Sequence, residues 1–374
     1  MKGRADLFVW VEPHYAKTPW YRELFIGLKS GLDAKRRRAA IEVKENPDKE
    51  LPTGAVLILA GETNRWFYRM LSFASAHGIH VCVASSNPEF ISNQVSSVSL
   101  DRQKDMNVMV HYLYNAKRRS IALFGINPSS PADQKRSAGY LQTVGLLGLS
   151  LNEKDIYCTS GDVSACTDAL LDSIDRYDAV ISSNDLYAVY LLPRLYERNI
   201  EVPRDMYLAS FGNTLLSKLS KPSITSATLN HTELGRQAVF TSLYMYGNPH
   251  ISNMTITIDG DFCPRQSTES IPFSIAGQQG YSLPSCSNVS SYSDPNLSVI
   301  VKLEMFLSNE DPNNLAIVKW LLSDKPLPGL AEYLFLSPSA VDYRLNKLYH
   351  HFEVTNRQEF SAIFKRYMDF MQLR

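Results

Sequence analysis

The sequence predicts an α/β fold of parallel sheets up to about residue 270, followed by an all-α C-terminal region. Three observations carry that prediction. Short apolar runs alternate with helical segments over the first part of the chain, residues 271–296 are rich in Ser, Pro, Gly and Gln, and the last eighth reads as two short helices joined by a tight turn.

Strand-like runs fall at residues 7–11, 56–59, 81–84, 120–124, 179–182 and 207–211, and helical segments at 23–35, 65–76, 103–115, 136–147, 165–176 and 186–198. Regular alternation of this kind makes βαβ units and hence parallel sheets. Six units exceed one ordinary doubly wound domain. Glu12-Pro13-His14-Tyr15 follows the first strand where a dinucleotide enzyme carries a glycine-rich phosphate loop, so such an enzyme is disfavoured. Residues 271–296 read as a flexible connector by composition, and 297–307 repeats apolar residues at helical spacing, as a packing or dimer helix does.

In the tail, Leu330, Ala331 and Leu334 recur at helical spacing and Leu336 closes the stripe. Ser337 before Pro338 is an N-cap with proline at the first helical position. The next helix turns Val341, Leu345, Leu348 and Phe352 inward, leaving Ser339, Asp342, Tyr343, Asn346 and Lys347 outward, with Ser337 at the cap and Arg344 beside them. A DNA major groove would meet these side chains. A small helical bundle with a solvated polar face is the alternative reading of the same pattern.

Composition bounds the function. The chain has 374 residues, enough for two or three domains, with 44% hydrophobic and 20% charged residues and 38 Lys+Arg against 38 Asp+Glu. Residues 297–374 hold nine Lys/Arg and nine Asp/Glu, so any basic footprint is local: Arg344, Lys347, Arg357, Lys365 and Arg366, with His350 and His351 among them. The longest apolar run, 55–60, is too short for a membrane span and residues 1–6 lack an apolar leader core, which predicts a cytoplasmic protein without membrane contact. Five scattered cysteines, an odd number, fit reduced thiols. No metal-ligand spacing, phosphate loop or nucleophile-base pattern stands out, so neither cofactor nor enzymatic activity is expected.

Residues 330–360 resemble the LuxR-type helix-turn-helix through Leu330-Ala331, Leu334, Leu336-Ser337, Ala340-Val341, Leu345, Leu348-Tyr349, Phe352, Val354 and Asn356-Arg357. That resemblance implies DNA binding by residues 297–374. Two positions depart from the pattern: Asp342 stands where a basic residue is usual, and Arg344 replaces a common histidine. An acidic group facing phosphates weakens binding.

Residues 6–268 resemble the LacI/GalR-type effector core, in order through Arg136-Ser137-Ala138-Gly139-Tyr140, Ile181-Ser182-Ser183-Asn184-Asp185-Leu186-Tyr187-Ala188, Leu208-Ala209-Ser210-Phe211-Gly212-Asn213, Pro222-Ser223-Ile224-Thr225-Ser226-Ala227, Glu233-Leu234-Gly235-Arg236-Gln237-Ala238 and Arg265-Gln266-Ser267-Thr268. The resemblance implies a type I periplasmic-binding-protein-like fold of two lobes within residues 1–270: a first lobe of about 5–116 and 226–247, and a second of about 117–225 and 248–270. It also implies a homodimer. The chain enters its first strand almost at once, so that family's N-terminal DNA-binding headpiece is not expected.

In such a core a small polar effector, sugar-like in the family, sits between the lobes at the carboxyl ends of the strands. The resemblance assigns Arg136 to it; Asn184, after a buried-looking strand, offers donors and an acceptor, with Asp185 favoured as the cap of the next helix, and Asn213 is a further candidate. The first loop adds Tyr15, Trp20 and Tyr21, whose rings either stack on a ligand or pack the next helix. Gly212 stands where the family commonly places an acid that takes paired hydroxyls, which departs from a sugar site. Two readings follow. One is a transcription regulator in which effector changes a dimer that binds DNA through the C-terminal helices; the other is a small-molecule sensor whose C-terminal helices dock a protein.

Overall fold

The computed structural model describes residues 6–47, 51–52, 54–85, 95–150, 152–159, 161–269, 294–308, 311, 313–323, 325–364 and 367. The connector at 271–296 lies outside these, save its last three residues, as do Cys286, Lys365 and Arg366. In chain order the strands are β1 (Leu7–Val11), β2 (Ala39–Val43), β3 (Val56–Ala60), β4 (His80–Ala84), β5 (Ser96–Leu100), β6 (Ile121–Ile126), β7 (Ile156–Cys158), β8 (Ala179–Ser182), β9 (Tyr207–Gly212), β10 (Thr225–Thr228), β11 (Thr255–Ile258) and β12 (Phe262–Cys263). The helices are α1 (Pro19–Ala34), α2 (Asn64–Ala76), α3 (Arg102–Asn115), α4 (Pro131–Leu146), α5 (Val163–Leu171), α6 (Asp185–Glu197), α7 (Leu215–Leu219), α8 (His231–Gly247), α9 (Pro295–Leu307), α10 (Asn313–Leu322), α11 (Gly329–Tyr333), α12 (Pro338–Phe352) and α13 (Arg357–Phe364). Among the described residues no helix is long and apolar enough to cross a membrane.

Two six-stranded sheets make two lobes, ordered β11-β5-β4-β3-β1-β2 and β12-β10-β9-β8-β6-β7. Every pairing is parallel except β10 with β12. Central strands such as β3 and β6 are buried along their whole length, which is why they read as continuous apolar runs.

The lobe boundaries differ from the expectation. Helix α3 packs Met106, Met109, Val110 and Leu113 into the second lobe's core, so the chain crosses at Leu100 rather than after residue 116. Strand β10 belongs to the second sheet and β11 to the first, placing the other crossings after Thr228 and Ile258. The three crossings are tied together: Asp101 N donates to Ile258 O (3.2 Å) and Thr228 N to Asp261 O (2.6 Å). Six strands escaped a reading by apolar runs: β5, β10, β11 and the edge strand β2 carry hydroxyls or charges, and β7 and β12 are only three and two residues long. The buried hydroxyls are bonded across distant segments; Ser96 Oγ, for example, accepts from Met254 N at 3.1 Å.

Helix α1 crosses α8 backbone to backbone. A Cβ at Gly27 would lie 1.8 Å from Thr232 O, and one at Gly235 2.2 Å from Leu24 O. Only glycine permits that approach.

The C-terminal helices do not hang from the core. Leu297, Ile300 and Leu303 of α9 are fully buried in one continuous apolar cluster with Leu191, Leu192 and Leu195 of α6 and Leu216 of α7. The same cluster runs on through Ile317, Leu321, Leu345, Leu348, Phe352, Phe360 and Phe364. Each such side chain contributes roughly 1.5–3 kcal/mol by leaving water. Helix α9 is thus a packing helix that seats α10–α13 on the second lobe.

Overpacking a backbone contact costs on the order of 3 kcal/mol, whereas alanine in an open helical position gains roughly 0.5–1 kcal/mol. Gly27→Ala is therefore expected to lower the urea midpoint sharply, and Gly145→Ala, whose Cβ would meet nothing within 4 Å, to leave it unchanged or raise it. Equal effects from the two substitutions would contradict the close crossing.

Candidate functional site

A cleft between the lobes lies at the carboxyl ends of the strands. Tyr15, Trp20, Gly61, Glu62, Ser85 and His231 face Arg102, Ser130, Asp133, Arg136 and Asn184 across it. The cavity left between them is about 60 Å³, a narrow cleft.

Its walls are built locally. After β3, Glu12 holds the Gly61-Glu62-Thr63 turn by accepting from Glu62 N (2.6 Å), Thr63 N (3.0 Å) and Thr63 Oγ1. Thr18 caps α1 with Pro19 at its first position, so Trp20 stands in the first helical turn rather than in a loop. Its indole reaches the second lobe. It stacks on His231 (5.5 Å between centroids, 20° between planes), and a Cβ at Gly212 would lie 2.6 Å from Trp20 Cη2. Gly212 also holds φ +129, so its lack of a side chain is required twice.

Opposite, Arg136 forms a buried pair with Asp133 (Nη1 to Oδ1, 2.6 Å) and lies over the Phe211 ring at 5.0 Å. Asp133 Oδ2 accepts from Asn127 N (3.0 Å), so both its oxygens are engaged. Arg136 Nε is buried with no hydrogen-bond partner among the described residues, a donor suited to a ligand's acceptor oxygen. Burial pushes the Asp133 carboxyl up and the His231 imidazole down, leaving His231 neutral. The His231 Nδ1 lies 3.0 Å from Leu229 O and its Nε2 3.5 Å from Arg102 Nη2.

Of the residues expected here, Tyr15, Trp20, Arg136 and Asn184 line the cleft. Tyr21 and Asn213 do not. Tyr21 packs against Tyr15 and Phe25, while Asn213 bonds Thr228 Oγ1 (3.1 Å) and accepts from Arg265 near the crossings. The cap assignment is also reversed: Asn184 caps α6, accepting from Tyr187 N at 3.1 Å. Asp185 is buried instead, accepting from Ser210, Ser226, Thr214 N and Thr214 Oγ1. Arg102, Asp133 and His231 had not been singled out, because two of them begin helices directly after serine- and threonine-rich strands.

In the tail, Ser337 caps α12 with Pro338 at its first position, and Oγ accepts from Ala340 N at 3.2 Å. Ser339, Asp342, Asn346 and Lys347 are exposed and Tyr343 is 68% exposed. Arg344 is half-buried and paired with Asp311 (3.2 Å). Arg357 leaves the expected basic patch altogether. It donates to the Leu321, Lys325, Trp320 and Ser323 carbonyls and so caps the end of α10.

Residues 110–268 match a family model described as a periplasmic binding protein-like domain. The chain is similar to the HTH-type transcriptional regulator AscG of Escherichia coli (26% identity over 162 residues, 42% of this chain and 48% of the relative). It is similar also to the transcriptional repressor CytR of Escherichia coli, with 24% identity over 184 residues, 48% of this chain and 53% of the relative. The chain thus spans about half the length of the curated relatives it matches. A solved structure of the transcriptional regulator CelR in complex with cellobiose superposes with a TM-score of 0.63 at 17% identity, over 71% of this chain and 85% of that one. The two-lobed core has the fold of LacI-family effector domains.

At the hinge, burial pushes Asp105 up to about 6 from its ordinary 3.8, against the pull of Arg102 and Arg136, and its Oδ2 is buried with no hydrogen-bond partner among the described residues. Between those two values the folded chain binds more protons than the unfolded one, so this group's contribution to stability falls as pH rises through that window. Asp105→Asn is therefore expected to raise Tm at pH 7.5 and to change it little at pH 4.5. A larger gain at pH 4.5 would exclude burial as the dominant cause.

Proposed function

We propose that the chain is a cytoplasmic transcriptional regulator: a small polar effector binds between the lobes and changes how a homodimer presents two α12 helices to DNA. The observation that carries this reading is α12 itself. One of its sides is locked into the apolar cluster continuous with the second lobe, and the other presents Ser339, Asp342, Tyr343, Asn346 and Lys347 to solvent.

The assignment of residues follows. Ser337, at the helix N-terminus, is placed for a phosphate, and Lys347 supplies a free-reaching cation. Ser339, Tyr343 and Asn346 are placed for base edges. Arg344 contributes only if its pair with Asp311 opens, and Asp342 repels phosphate, so binding should be modest and steeply salt-dependent. On the effector side Arg136, Asn184, Tyr15 and Trp20 line the cavity, Tyr21 packs behind Tyr15, and Asn213 lies outside it near the crossings. The CelR complex holds cellobiose, and the similarity makes a sugar-like effector the first class to try.

A second reading, a sensor whose C-terminal helices dock a protein, is favoured by one feature. Tyr333, Phe335 and Tyr343 are 53%, 96% and 68% exposed on α11, the turn and α12, an unusual apolar display for a solvated face.

A gel shift on the full chain with fragments of its own genome, across a salt series, separates the readings. Lys347→Ala should weaken binding uniformly across sequences and reduce the salt slope by about 1, whereas Asn346→Ala should relax preference at one base pair. No shift at any salt concentration would leave the protein-docking reading. For the cleft, a thermal-shift screen of sugars (cellobiose included) and nucleosides should yield one that stabilises wild type by roughly 2.7 kcal/mol at a hundredfold excess over Kd, and not Arg136→Ala. Equal shifts in both proteins would exclude Arg136 as a contact.

A further inference from the structure

We infer that Glu304 is the residue that couples the cleft to the C-terminal helices, by clasping the turn that follows β9. The inference rests on reading the cleft as an effector site and deepens it, by naming how its state reaches α12.

Glu304 is on α9 and only 3% exposed, yet it points out of its own helical region into the second lobe. Its Oε1 accepts from Leu215 N (3.0 Å) and from Ser308 Oγ (2.8 Å), and its Oε2 accepts from Leu216 N (2.9 Å). Leu215 and Leu216 open α7, where backbone N–H groups have no partner within the helix. A buried carboxylate that takes both cannot leave without orphaning two donors and stranding a charge.

The clasped turn is also where the lobes meet. Its preceding residue but one, Gly212, abuts the Trp20 indole of the first lobe. Asn213 bonds Thr228 and Arg265 beside the crossings, and Thr214 donates to Asp185 by N (2.7 Å) and Oγ1 (3.1 Å). A movement of Trp20 on opening therefore bears on a turn whose next two amides are held by α9. From α9 the apolar cluster runs directly to Leu345, Leu348 and Phe352 of α12.

A second carboxylate makes the anchorage two-point. Asp294, at the start of α9, accepts from Val163 N (2.5 Å) at the start of α5. Helix α5 packs on β6, β7, α6 and α9, so that contact fixes α9 to the second lobe. Glu304 ties α9 to the turn beside Trp20, next to a direct approach of α1 to α9, and it is a positioning residue: it touches neither effector nor DNA.

Hydrogen exchange on the full chain tests the coupling, with Trp20→Phe as the cleft perturbation in place of an effector. In wild type, Trp20→Phe should speed exchange across residues 295–307 and at the Leu215 and Leu216 amides by roughly fivefold, and in a Glu304→Ala background by no more than the background itself. Glu304→Gln keeps one acceptor oxygen and should retain part of the coupling; it also serves as the comparison if the alanine variant unfolds. A purely structural Glu304 would give additive effects, and additivity, or no response of 295–307 to Trp20→Phe, would overturn the inference. Since no DNA enters the experiment, failure of the gel shift would sink the regulator reading and leave the clasp standing.

Discussion

The buried carboxylate of Asp185 is the interaction on which the second lobe's upper edge depends. It is 0% exposed, and four donors converge on it: Ser210 Oγ from β9, Ser226 Oγ from β10, and the amide and hydroxyl of Thr214. A charge so placed is tolerable only because its lone pairs are filled, and that need fixes three segments at once. Strand β9 is held to β10, the turn after β9 is pinned to the start of α6, and Asn184 is left at the cleft as the cap of that helix. Remove the carboxylate and each of these segments loses its common partner.

The C-terminal helices exploit the geometry this creates. Because Thr214 is pinned from one side, the amides of Leu215 and Leu216 project from the other, where Glu304 meets them. Burial holds the Glu304 carboxyl above the usual carboxylate range, against the pull of the Leu215 and Leu216 amides and the Ser308 hydroxyl, with the Asp185 carboxylate adding a little to the rise. Apolar burial along α9 supplies the affinity between domain and lobe, while the carboxylates of Glu304 and Asp294 supply register. Apolar contacts alone would allow α9 to slide; donors at two fixed helix starts do not.

Much of the architecture was legible because parallel strands covered on both faces are apolar throughout, and β1, β3, β6, β8 and β9 stand out for that reason. The same logic hid β5 and β10, whose serines and threonines satisfy one another only in the folded chain. The lobe boundaries went astray with them, since crossings sit beside those strands. In the cleft, Tyr15, Trp20, Arg136 and Asn184 could be named from motif and position. Arg102 and His231 could not, because their partners come from segments 129 residues apart. The docking of α9 was illegible for another reason: Glu304 reads as an ordinary charged helix position until the amides of α7 are placed opposite it.

The narrow cleft sets the energetics of whatever enters it. The cleft leaves about 60 Å³ between the lobes, so an effector larger than that would need them to move apart. The approach of the Trp20 indole to Gly212 crosses between the lobes, whereas its stacking on His231 lies within the first lobe and the Asp133–Arg136 pair within the second. The apparent affinity of such an effector is the intrinsic affinity scaled down by the open fraction. If the cleft takes an effector as proposed, one that parts the lobes would also part Trp20 from Gly212 and so act on the turn after β9, by no more than its differential affinity for the two states. On the proposed reading, Gly212 is where such a movement would pass from one lobe to the other, because it is the point at which the Trp20 indole meets the second lobe.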